Sequence, residues 1–190
     1  PGPALAMRTR LREKLARLVG ARPVDIALTG GASAGVQAVA LSYPWRGGDR
    51  VILFDGEFPA NVTPWQRAAE LFGLEVVFLP LAPFERGAAE GLASLAEELG
   101  RGARLVAVSA VQFRTGLAMP IAEMAAACHR HGAELFADAI QACGAVPVDV
   151  AASQIDYLAC GAHKWLMGVE GAGFLYVRPG RAEALRPHLA

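Results

Sequence analysis

Continuous apolar runs of four or five residues alternate along this chain with longer stretches in which apolar side chains recur every three or four positions. Residues 4–19 place Leu11, Leu15, Leu18 and Val19 between arginines, the pattern of a helix that buries one face. Gly20 stands where such a helix would end. Beyond it, strands are predicted at 26–28, 51–54, 75–79, 105–109, 134–137, 157–159 and 173–177, and helices at 36–43, 65–72, 92–99 and 121–131. Strands that are apolar along their whole length and separated by helices are buried on both faces. They predict an α/β fold: a mostly parallel, seven-stranded-type sheet with helices on both faces. Ligands of such sheets bind in the loops beyond the carboxyl ends of the strands.

Composition narrows the picture. The chain has 190 residues and a formal net charge of +0, so it lacks the basic surface that a nucleic-acid binder or a binder of anionic membranes needs. Mean hydropathy is high, +0.32, but alanine accounts for much of it and no apolar run approaches a membrane span. The start, Pro1-Gly2-Pro3-Ala4, shows neither an initiator Met nor a signal-peptide pattern, and the chain is expected to be a fragment. Cys128, Cys143 and Cys160 are odd in number with no C-x-x-C spacing, which points to buried thiols in a reducing cytoplasm rather than disulfides or zinc. Lys14 and Lys164 are the only lysines, so a lysine within an apolar stretch stands out.

Three post-strand segments carry candidate chemistry. Thr29-Gly30-Gly31-Ala32-Ser33-Ala34-Gly35 leads into a helix, where small residues, free N–H groups and the Ser33 hydroxyl can cradle a phosphate; Ser33 can equally be a helix cap. The glycine spacing fits neither G-x-G-x-x-G nor a P-loop. Asp138 ends a buried strand, where a carboxylate needs a partner or caps a turn. Lys164, followed by Trp165, Leu166 and Met167, is expected to lose hydration there and so to suit Schiff-base chemistry; the alternative is a lysine snorkelling out of an apolar loop. A phosphate cradle, a strand-end acid and a desolvated amine are together the parts that hold pyridoxal 5'-phosphate (PLP).

At these residues the sequence resembles the class V aminotransferase family, a group of PLP-dependent enzymes that includes the cysteine desulfurases. The resemblance runs over most of the chain. It rests on Ala137-Asp138-Ala139-Ile140-Gln141, Val146-Pro147-Val148-Asp149-Val150, Asp156-Tyr157 and Ala162-His163-Lys164 followed by Gly168, with Glu57-Phe58-Pro59-Ala60-Asn61 and Pro64-Trp65-Gln66 similar to the segment around the ring-stacking residue. It implies Lys164 as the Schiff-base lysine, Asp138 at the pyridinium nitrogen and Gln141 at the phenolic oxygen. It implies His163, Ala32 and Ser33 at the phosphate and Phe58 stacked on the ring. Gln112 stands near the position of a family Asn and is carried as a ring-oxygen partner.

Two departures bear on the reaction. Desulfurases place a His where this chain has Phe58, and Phe58 can stack but cannot move a proton. The family often has a Ser where Gly161 stands, which removes one phosphate hydroxyl. The resemblance therefore implies an aminotransferase-like enzyme acting on a free amino acid or keto acid, with residues 1–190 forming the PLP-binding large domain and a small C-terminal domain lying outside the chain. A homodimer is implied as well. The alternatives are a cysteine desulfurase or selenocysteine lyase, an epimerase- or kynureninase-like enzyme, a catalytically silent PLP binder, and a nucleotide-binding or purely structural α/β domain.

Overall fold

A computed structural model describes residues 2–186. In chain order its elements are α1 (Pro3–Val19), β1 (Ile26–Thr29), α2 (Ala32–Ser42), β2 (Arg50–Phe54), α3 (Thr63–Phe72), β3 (Glu75–Leu79), α4 (Ala82–Arg86), α5 (Ala88–Leu99), β4 (Leu105–Ser109), α6 (Ile121–Arg130), β5 (Glu134–Asp138), α7 (Val150–Ser153), β6 (Tyr157–Gly161) and β7 (Gly173–Val177). The seven strands form one sheet in the order β1-β7-β6-β5-β4-β2-β3. β7 is antiparallel to both neighbours, and the other pairings are parallel. This is the mostly parallel α/β architecture expected from the apolar runs.

Side-chain alternation divides the core into two layers. Ile52, Phe54, Val106, Val108, Leu135, Ala137, Leu158 and Cys160 pack with residues of α1, α4, α5, α6 and α7. Val51, Leu53, Leu105, Ala107, Phe136, Tyr157 and Ala159 pack on the other side with α2 and α3, where Trp65 meets Phe136 edge to face. Successive strand residues point to opposite faces. Ser109, Asp138 and Gly161 thus continue the α2/α3 series at the carboxyl ends of β4, β5 and β6. Burying each large apolar side chain contributes about 1.5–3 kcal/mol, so the central strands are the rigid frame for that edge.

Helix α2 closes on this frame through small residues. A methyl group on Gly35 would lie 2.8 Å from the Ala159 methyl, so the helix sits almost directly on β6. At the start of β7, a methyl on Gly173 would lie 2.5 Å from the Cys160 carbonyl oxygen and 2.6 Å from Gly31 Cα. The loop before α2 is therefore wedged against β6 and β7, with only backbone to yield. Gly173→Ala is expected to cost about 1–3 kcal/mol and to lower the thermal midpoint by roughly 3–10 °C, read by circular dichroism. An unchanged midpoint would mean the loop relaxes freely. No helix among the described residues is long and apolar enough to cross a membrane.

Candidate active site

Register brings the candidate residues together. β5 and β6 are adjacent and parallel, with Asp138 opposite Ala159, so Asp138 and the segment leaving β6 through Gly161 lie at one sheet edge. Asp138 is 3% exposed. Its Oδ1 accepts the Ile140 N–H at 3.0 Å, the sole hydrogen bond to this carboxylate among the described residues. Asp138 thus does bend the following turn, but a single neutral donor is little compensation for a buried carboxylate. Burial pushes its carboxyl up to about 6; the Ile140 N–H opposes the rise, the Glu57 carboxylate adds to it, and the nearby Lys164 ammonium opposes it. No cation is salt-bridged to this carboxylate among the described residues, and a protonated ring nitrogen is one that would fit.

Lys164 belongs to the loop after β6. The Lys164 carbonyl accepts the Met167 N–H at 2.9 Å, and the Gly168 N–H closes back onto the Ala162 carbonyl at 2.8 Å, so backbone bonds hold the loop's shape. Lys164 is half-buried, with Nζ 5.6 Å from the centre of the Phe58 ring. Phe58 in turn packs edge to face on Phe113 at 5.3 Å. The apolar residues after Lys164 do not enclose the amine as their sequence suggests, because Trp165 is 54% and Met167 91% exposed. Instead the Trp165 indole N–H donates to Gln141 Oε1 at 2.9 Å. That bond occupies the amide oxygen and leaves the Gln141 NH₂ free to donate.

The remaining candidates take distinct places. Gly31 precedes α2 without a side-chain cap, and Ala32 and Ser33 form its first turn, Ala32 buried and Ser33 exposed. Ser33 is therefore inside the helix rather than capping it, and the first-turn N–H groups have no intrahelical acceptor. His163 stands over Gly161, where a methyl group would come within 3.3 Å of the imidazole and 3.2 Å of Ile140 Cδ1. The imidazole occupies the space that a side chain at 161 would need. Gln112 is buried, with Nε2 donating to Glu57 Oε1 at 2.8 Å and directed at the Ser109 carbonyl at 3.5 Å, while its Oε1 has no partner among the described residues. A carboxylate only accepts, so the Glu57 contact fixes which end of this amide is the donor.

The family model for aminotransferase class-V matches residues 4–190. This chain belongs to the class V aminotransferase family. Within the family it is 34% identical over 182 residues to isopenicillin N epimerase of Streptomyces clavuligerus, covering 96% of this chain and 46% of that protein. It is 33% identical over 181 residues to a cysteine desulfurase of Escherichia coli, covering 93% of this chain and 44% of that protein. Among solved structures it superposes with a TM-score of 0.92 and 31% identity on a lysine-to-alanine variant of C-DES with glycine covalently linked to its PLP cofactor, covering 98% of this chain and 49% of that one. The chain spans about half the length of the relatives it matches.

One cluster at this class V site is not apparent from the sequence pattern. Glu57 is buried and sits among Ser109, Gln112 and Asn61. Ser109 lies 52 residues along the chain from Glu57, and Gln112 lies 55, so no local spacing announces the contact.

Proposed function

We propose that this chain binds PLP through Lys164 Nζ and that the protein carrying it acts at Cα of a free amino acid, as an aminotransferase- or epimerase-like enzyme. The observation that carries this reading is the buried Asp138 carboxylate with no salt-bridged cation among the described residues, at the same sheet edge as an amine set against an aromatic ring. The first turn of α2, with Ala32 and Ser33, and the imidazole of His163 would bind the phosphate. Phe58 would stack on the ring, Asp138 would hold the proton on its nitrogen, and the free NH₂ of Gln141 would donate to its phenolic oxygen. Gln112, whose donors face Glu57 and the Ser109 carbonyl, supports that arrangement from behind. Bound PLP would supply an aldehyde for covalent attachment and a ring that accepts the electron pair of a broken Cα–H bond. Lys164 Nζ, when not bonded to the cofactor, is the base that takes the Cα proton and returns it.

Phe58 favours this reading over sulfur removal from cysteine, because a phenyl ring stacks but cannot pass a proton. The expected result is exchange of the Cα hydrogen of a substrate amino acid for deuterium in heavy water, with no sulfide from cysteine, on the whole protein loaded with PLP. Steady sulfide release from cysteine in the presence of a thiol reductant would favour the desulfurase reading instead. The exposed rim of Phe113, Trp165, Met167 and Val169 supports a homodimer covering this edge, measurable by sedimentation. The buried free thiols of Cys128, Cys143 and Cys160 suit a cytoplasmic location.

A further inference from the structure

We infer that Glu57 is a positioning residue, whose buried carboxylate ties the Phe58 turn to the carboxyl end of β4 and places a second negative charge beside Asp138. The inference rests on the PLP reading above and extends it to a side chain that reading does not use.

Glu57 Oε1 accepts the Ser109 N–H at 2.7 Å and the Gln112 amide at 2.8 Å. Oε2 accepts the Asn61 amide at 3.1 Å and the Ser109 hydroxyl. Asn61 Oδ1 accepts in turn from the Trp65 indole at 3.3 Å, which roots the cluster in α3. Three N–H donors and one hydroxyl face this carboxylate, a set that suits its ionised form. No arginine or lysine pairs with it among the described residues.

Two consequences follow from its place in the fold. Phe58 is the next residue, so the tie sets where that ring stands relative to Lys164 Nζ and Phe113. Ser109 is also the register partner of Asp138 across β4 and β5. Two carboxylates therefore end up at the ends of neighbouring strands with no cation salt-bridged to either among the described residues. A neutral amide or hydroxyl would serve as a staple without the cost of a buried charge. Both charges favour a proton on a ring nitrogen and on Lys164 Nζ. Among the described residues, other titratable groups near Lys164 are His163 on its own loop and the Cys160 thiol behind the sheet edge.

The test loads the whole protein with PLP and compares wild type with Glu57→Gln, Glu57→Asp and Ser109→Ala. PLP dissociation is measured by absorbance titration, and the pH midpoint of the visible cofactor band is measured for each. Glu57→Gln is expected to weaken PLP by roughly tenfold and to move the midpoint to lower pH, because a negative charge has gone. Ser109→Ala keeps the charge and loses one tie; it is expected to weaken PLP only a few-fold at an unchanged midpoint. Wild-type affinity and midpoint in Glu57→Gln would overturn the inference, and so would weakened PLP with an unmoved midpoint. Should Glu57→Gln not fold, Glu57→Asp decides: looser PLP at the wild-type midpoint supports the inference, and wild-type behaviour on both counts overturns it. If the wild type itself takes up no PLP, the proposed function fails, and this inference with it.

Discussion

Lys164→Ala is expected to abolish the visible cofactor band and the borohydride-reducible adduct, and to lower turnover by roughly a thousandfold or more, since one side chain serves as both anchor and base. PLP itself should still bind, more weakly. The first turn of α2, His163, Asp138, Gln141 and Phe58 all come from other positions and do not depend on the amine. The fold should also survive, because the Lys164 loop is shaped by backbone bonds from Met167 and Gly168 rather than by the lysine side chain. Circular dichroism should therefore give a thermal midpoint within a few degrees of wild type. Lys14→Ala is the control: it removes the only other lysine, an exposed residue of α1, and should leave band, adduct and turnover intact. A band and adduct that persist without Lys164 would show that another amine is the anchor.

The expectation for Lys164 was available from sequence because of where it stands: just past a strand, in a sheet whose ligand edge follows from parallel topology. The same holds for Asp138. Strands β3, β4 and β7 match their predicted limits, since uninterrupted apolar runs bounded by polar or glycine residues leave little freedom in register. Other features were not legible, for reasons that can be named. The antiparallel direction of β7 and the edge position of β1 are set by pairing between distant segments. The short α4 and α7 contain too few residues for a helical period to show. Helix α2 begins four residues before its predicted start because Ala32, Ser33, Ala34 and Gly35 carry no apolar stripe; Gly35 lacks a side chain where the helix lies against Ala159. Trp165 is apolar in composition, but its indole N–H has a partner in Gln141, and that bond turns the ring outward rather than over the lysine. Glu57 stayed hidden because its burial depends on donors more than fifty residues further along.

Asp138→Asn is expected to stabilise the cofactor-free protein at neutral pH while crippling the loaded enzyme. Asp138 has a folded-state value of about 6 against an ordinary 3.8, chiefly through burial, so the folded chain holds that proton more tightly than the unfolded chain does. The stability this provides is complete below about pH 4 and is lost as pH rises through about 6, because the folded state must then keep a buried anion. The difference of roughly two pH units corresponds to about 3 kcal/mol. An asparagine keeps the oxygen that accepts the Ile140 N–H and removes the charge. Cofactor-free Asp138→Asn should therefore unfold roughly 6–12 °C higher than wild type at pH 7.5, with the gap closing toward pH 4. Adding PLP should reverse the order, since wild type gains a cation for its buried carboxylate and the variant does not; the variant should also lose Cα–H exchange. A gap that stayed constant between pH 4 and pH 7.5 would show that Asp138 carries no buried charge, and the ring-nitrogen role proposed for it would go with that result.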